Sequence, residues 1–205
     1  VVTFYNNGKD KFEAFFEEIK KAKHHIHIQY YIYMDDNIGT KLKDLLIEKA
    51  KEGVEVRLSY DDVGSWKAKN NFFSEMEKHG IEVQPFLKVR FPVLTNRVNY
   101  RNHRKVVVID GTVGFMGGMN VADRYIDAYP KGIWRDCHIK VEGKAVHGLQ
   151  MSFIIDWFLS RKELLSSGIY FPQLNSMGES LMQVVTSGPT GEYREIYQGI
   201  FYAIG

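Results

Sequence analysis

The chain is poor in cysteine, in net charge and in long apolar runs. Cys137 is the single cysteine in 205 residues, which excludes an intrachain disulfide framework and any CxxC metal knuckle. Lys plus Arg number 27 against 25 Asp plus Glu, a formal net charge of +2. Overall charge therefore makes no case for a nucleic-acid partner. No apolar run is long enough for a spanning helix, and no signal-peptide pattern is present. The first residue is Val1 rather than Met, so a segment lost upstream, a membrane anchor included, stays open. What the chain does have is 44% hydrophobic and 25% charged residues, the mix of a folded soluble domain.

Periodicity divides the chain into alternating elements. Phe12, Phe15, Phe16, Ile19 and Ala22 recur at helical spacing. HHIHIQYYIYM at 24–34 reads as a strand. A second helix is expected through Leu42, Leu45, Leu46 and Ala50, capped by Asn37 and stopped at Gly53. VEVRLSYDD is a strand, 67–79 a helix closed by Gly80, and IEVQPFL a third strand. VVVI at 106–109 has the continuous apolar character of a central strand. GTVGFMGG suggests a tight turn into another strand, CHIKVEG a further one, and Val146 to Phe158 a long helix. The βαβ-like alternation predicts an α/β fold with a mixed, mostly parallel sheet flanked by helices. The tail LMQVVTSGPTGEYREIYQGIFYAIG repeats the opening order of strand, glycine and helix, with Gly188 in the place of Gly8. We read residues 1–175 as one domain and 176–205 as the start of a second, truncated copy.

The chemistry concentrates in NHRKVVVIDGTVGFMGGMN, residues 102–120. In an extended segment His103 and Lys105 point to the same face, because strand periodicity is two. A neutral imidazole can attack phosphorus, while a lysine ammonium and the Asn120 amide hold phosphoryl oxygens. Gly117 and Gly118 let the backbone pass close to a bound group and bring Asn120 beside the pair. Alone, an HxK pair is more often a loop histidine and a solvated strand end. HxK followed by Asp110 and then by GGxN is far more restrictive.

That stretch resembles the HKD signature of the phospholipase D superfamily. With YYIYMDDNIGTKLKDLLIEKAKEGVEVRLSYDDVGS, WRDCHIKVEG and the later SGP, it is similar to the bacterial cardiolipin synthases over essentially the whole chain. The resemblance implies a phosphatidyltransferase that passes a phosphatidyl group between two phosphatidylglycerol molecules through a phosphohistidine and releases glycerol. Phospholipase D-type hydrolysis and a single-motif homodimeric nuclease remain the alternatives. By position, His103 is the implied nucleophile, and Lys105 and Asn120 hold phosphate. Asp110 is the motif aspartate, supporting local structure, and Asp136 backs the histidine. No cofactor and no metal are implied. The family uses two HKD motifs, but this chain has one HxK. The partner motif is expected from a second repeat in cis or from a homodimer. The resemblance further implies an anionic phospholipid substrate, a membrane surface as partner, no nucleic acid, and a place at the cell membrane with the active domain on the cytoplasmic side.

Other residues read more plainly. His25 and His27 share a strand face, with packing favoured over a metal site. Asp61 and Asp62 read as turn-capping acids at a strand end, and Cys137 as core. Residues 88–105 carry six Lys or Arg and no acid, around Phe91, Pro92, Val93 and Leu94, a mixture suited to an anionic lipid surface.

Overall fold

The computed structural model describes all residues except 69, 87–100, 127–131, 133, 176–177, 179–180, 188–194 and 205. Residues 88–100 of the basic segment singled out above therefore lie outside the described residues. Among those described, the strands are β1 (Val2–Tyr5), β2 (His25–Tyr30), β3 (Glu55–Asp61), β4 (Glu82–Phe86), β5 (Val106–Ile109), β6 (Val113–Gly117) and β7 (His138–Glu142). The helices are α1 (Gly8–Lys21), α2 (Asn37–Lys51), α3 (Asn70–Lys78), α4 (Val146–Arg161) and α5 (Glu195–Ile204).

The strands form one sheet in the order β1-β7-β6-β5-β2-β3-β4. Only β2 with β3 and β3 with β4 pair in parallel, through the α2 and α3 crossovers. The other four pairings are antiparallel. The expected mostly parallel sheet is thus corrected to a mixed, mostly antiparallel one. The physical reason lies at Asp110-Gly111, where both residues have positive φ, 52° and 66°, and Thr112 N–H closes on the Ile109 carbonyl at 3.0 Å. Two successive left-handed residues suit a tight hairpin, so β5 returns directly as β6 with no helix between, and β7 adds beside it antiparallel.

The helices follow their apolar stripes. Asn7 caps α1 by accepting the Asp10 N–H at 2.9 Å, and Phe12, Phe15, Phe16 and Ile19 are buried. They pack with Leu42 and Leu46 of α2 against Ile26, Ile28, Val107 and Phe115 of the sheet. Each such side chain stabilises the fold by roughly 1.5–3 kcal/mol of transfer free energy. The cap of α2 is Asp36 rather than the expected Asn37, its carboxylate accepting the Gly39 N–H at 3.1 Å. α4 covers the opposite face through Val146, Leu149, Phe153 and Trp157. Residues 181–187, expected to include a strand, have no regular structure, although Met182 and Val184 rest on the Val106–Leu149 cluster. α5 buries none of its residues. Cys137 is exposed, not core, because β7 begins one residue later and the strand alternation does not reach it. No described helix is long and apolar enough to cross a membrane.

Candidate active site

The site assembles where β2 ends and β5 begins. Past Tyr30 the chain continues through Tyr31 and Ile32 to Tyr33, which bridges to Val121. The Tyr31 ring lies flat on the His103 imidazole, with centroids 4.0 Å apart and planes 16° apart. The Lys105 ammonium reaches back to the His103 carbonyl at 2.5 Å and sits 5.4 Å from the centre of the Tyr31 ring. The next residue along, Ile32, donates its backbone N–H to the Asn120 side-chain oxygen at 3.1 Å. The Asn120 Nδ2 donates to the Tyr125 hydroxyl at 2.9 Å, so the buried amide is held from both ends.

Asp136 approaches from the segment before β7. Its carboxylate occupies the space beside Gly118, where a Cβ would meet Oδ1 at 1.9 Å. Gly118 N–H donates to the Cys137 carbonyl at 2.8 Å, and Asp136 Oδ1 accepts the Cys137 N–H at 2.7 Å. Among the described residues no hydrogen bond joins Asp136 to His103. Partial burial pushes the His103 imidazole below the usual histidine range, the Lys105 charge adds to this, and Asp61 opposes it. Burial also lowers Lys105, against the attraction of Asp136. A histidine so placed is neutral at pH 7 and carries the lone pair a nucleophile needs.

Asp110 stands apart from this group. It lies at the far end of β5, five residues or roughly 17 Å from Lys105 along an extended chain. Its carboxylate accepts the backbone N–H groups of Lys23, His24 and His25 at 2.9, 2.8 and 3.0 Å. That tie pins the β5–β6 hairpin to the start of β2. The structure therefore gathers His103, Lys105, Asn120 and Asp136, and leaves Asp110 to the scaffold.

Several residues around the site escaped the sequence reading. Tyr31 carried no chemical signal beyond an aromatic run. Asp61 does cap a turn, accepting from Val63 and Gly64 N–H at 3.0 and 2.9 Å, but it also accepts the Asn102 N–H at 3.3 Å. Asp156, buried on α4, accepts from Asn102 Nδ2 at 2.7 Å, Gln29 Nε2 at 2.8 Å and Arg104 Nη1 at 2.5 Å. Two buried carboxylates thus hold the residues on either side of His103. An acid inside the apolar run FIIDWF was the available signal. His138 is buried with neither ring nitrogen hydrogen-bonded. Burial keeps it well below the usual range, helped by Lys11 and Lys105. Lys11 is itself buried, donating to Tyr30 Oη at 2.9 Å, and burial lowers its basicity strongly. His25 and His27 pack instead against Gln150, Phe153 and Tyr170.

A mixed sheet with helices on both faces and an HxK pair at one strand end defines a phospholipase D-like domain. The fold is similar to that of a phospholipase D family member, Nuc from Salmonella typhimurium, at TM-score 0.59 and 16% identity, over 78% of this chain and 96% of that one. The family model described as "Cardiolipin synthase, PLD-like domain" matches residues 15–130, and the chain belongs to that family. It is 45% identical over 202 residues to a cardiolipin synthase of Geobacillus sp. (strain WCH70), covering 97% of this chain and 40% of the relative. It is 46% identical over 201 residues to the major cardiolipin synthase ClsA of Bacillus subtilis (strain 168), covering 97% and 42%. The chain thus spans about two fifths of the length of these relatives.

Proposed function

We propose that the protein acts as a cardiolipin synthase, transferring a phosphatidyl group from one phosphatidylglycerol to the hydroxyl of another. The observation that carries this reading is the His103 imidazole, stacked on Tyr31 beside the Lys105 ammonium, in a chain so similar to known cardiolipin synthases. In the first step a ring nitrogen of His103 bonds to phosphorus and the bond to the glycerol oxygen breaks. Lys105 and the second N–H of the Asn120 amide take the charge on the phosphoryl oxygens. The proton for the departing glycerol is assigned to a second copy of the motif, in cis or from a partner chain, because His103 is committed to phosphorus. In the second step the hydroxyl of another phosphatidylglycerol attacks, the nitrogen–phosphorus bond breaks, and the motif that supplied the proton takes it back. Asp136 supplies negative charge near the cationic phosphohistidine, Asp110 holds the hairpin behind the strand, and no metal enters either step. Residues 176–205 belong, in this reading, to a second unit. In this reading the protein works at an anionic membrane surface, on the cytoplasmic side.

The test is the protein from the complete reading frame, purified and given phosphatidylglycerol. Cardiolipin and glycerol should form in equal amounts, and His103→Ala should abolish both. Phosphatidic acid as the only lipid product would replace transfer by hydrolysis.

A further inference from the structure

We propose that Trp66 and Trp134 form a two-sided rim that seats the active site on the interfacial region of a lipid bilayer. The inference rests on the phospholipid reading of the site, and identifies which surface meets the membrane.

Both side chains are exposed, although the Trp134 ring also carries the Arg124 guanidinium 4.3 Å from its centre. Trp66 is 76% and Trp134 53% exposed, and Val63 beside Trp66 is 38% exposed. Indole suits the headgroup–acyl boundary because it joins a large apolar body to one N–H donor. The two tryptophans arrive from different elements, yet each is braced by a group that holds the site. Trp66 follows Ser65, whose hydroxyl donates to the Tyr31 carbonyl at 3.3 Å and accepts the Tyr33 N–H at 3.0 Å. Tyr31 is the residue stacked on His103. On the other side, Trp134 donates its backbone N–H to the Arg124 carbonyl at 3.1 Å and meets the Tyr125 ring edge-on at 6.2 Å. Tyr125 in turn accepts from Asn120. Trp66 is thus one residue from the hydroxyl that meets the Tyr31 backbone, and Trp134 packs on the residue that holds the Asn120 amide.

Lys67 and Arg135, both exposed, stand next to the two tryptophans, with Asp62 only partly exposed between strand and loop. Cations beside interfacial aromatics match the charge of an anionic leaflet. A two-tailed phospholipid also leaves the bilayer only at a high cost in exposed hydrocarbon. Its phosphodiester reaches His103 most directly if the surface around His103 rests in the headgroup layer.

The chain lends itself to a direct test, because its third tryptophan, Trp157, is fully buried and serves as an internal reference. Fluorescence of the 205-residue chain is measured with phosphatidylglycerol vesicles whose acyl chains carry bromine near the headgroup. Trp66 and Trp134 emission should be quenched and Trp157 emission should not, as read from single Trp66→Phe and Trp134→Phe variants. Trp66→Ala and Trp134→Ala should each weaken vesicle partitioning about tenfold, the worth of one aromatic side chain moved from water. In the complete protein Trp66→Ala should lose turnover on vesicles but keep it on water-soluble, short-chain phosphatidylglycerol. Unquenched tryptophans on bound vesicles, unchanged partitioning, or no vesicle binding would each overturn the proposal. Quenching without any phosphatidyl transfer by the complete protein would uphold the rim and sink the transferase reading instead.

Discussion

Gly118→Ala tests how Asp136 is placed without touching a charged group. The new methyl carbon would stand 1.9 Å from Asp136 Oδ1 and 2.3 Å from its Cγ. To reach ordinary contact at 3.4 Å, the oxygen has to retreat about 1.5 Å. Only a side chain moves, so the fold should lose no more than about 1 kcal/mol. A group misplaced by about 1 Å near reacting atoms costs roughly 100-fold in rate, and the carboxylate opposes the burial that lowers Lys105. We expect kcat for cardiolipin formation by the complete protein to fall roughly 100-fold, with KM little changed. In an Asp136→Ala background the same change should cost almost nothing, because the displaced carboxylate is already gone. The assay is initial-rate product formation from phosphatidylglycerol vesicles, with thermal unfolding as the control for folding. Near-normal turnover in Gly118→Ala would refute the role of Asp136. So would an equal loss in both backgrounds, which would trace the damage to the backbone.

Three further outcomes follow from the same geometry. Asp156→Asn removes the charge that holds Arg104 and Asn102 around His103; kcat should fall about tenfold more than 1/KM changes, and a loss confined to KM would contradict positioning. Tyr31→Phe should keep turnover and Tyr31→Ala should lower it, since stacking uses the ring and not the hydroxyl; equal losses would contradict this. The fold should weaken as pH falls from 6.5 toward 4. His25 is pushed down to about 4, mainly by burial, with His27 adding and Asp110, Gln150 and Glu55 opposing. An unfolded chain takes that proton from pH 6.5 downward while the folded one does not. At pH 7 both forms are neutral and nothing is lost. Near pH 4 the loss from this group approaches the order of 3 kcal/mol. Urea midpoints should show this decline and His25→Gln should flatten it; a flat wild-type profile would refute the assignment.

Residue spacing made the helices legible, because α1, α2 and α4 owe their stability to continuous apolar stripes. The expected same-face relation of His103 and Lys105 rested on strand periodicity, whereas both residues precede β5 and lie outside any strand. The sheet direction was misread for an identifiable reason. Alternating strands and helices describe β2 to β4 well, but the Asp110-Gly111 pair is a hairpin signal and outweighs the alternation from β5 onward. Tyr31, Asp61 and Asp156 were beyond reach because their roles depend on partners 41 to 127 positions away in the chain, such as Asn102 for Asp61, His103 for Tyr31 and Gln29 for Asp156. Such pairings form only after the sheet has closed. Cys137 was misplaced by assuming strand alternation one residue too early.

His103 is the group assigned to take phosphorus. The most direct measurement is mass spectrometry of the complete protein, acid-sparingly digested after rapid mixing with phosphatidylglycerol. A phosphatidyl adduct should appear on the peptide containing His103, vanish in His103→Ala, and decay as cardiolipin forms. An adduct on any other residue, or full turnover in His103→Ala, would contradict it.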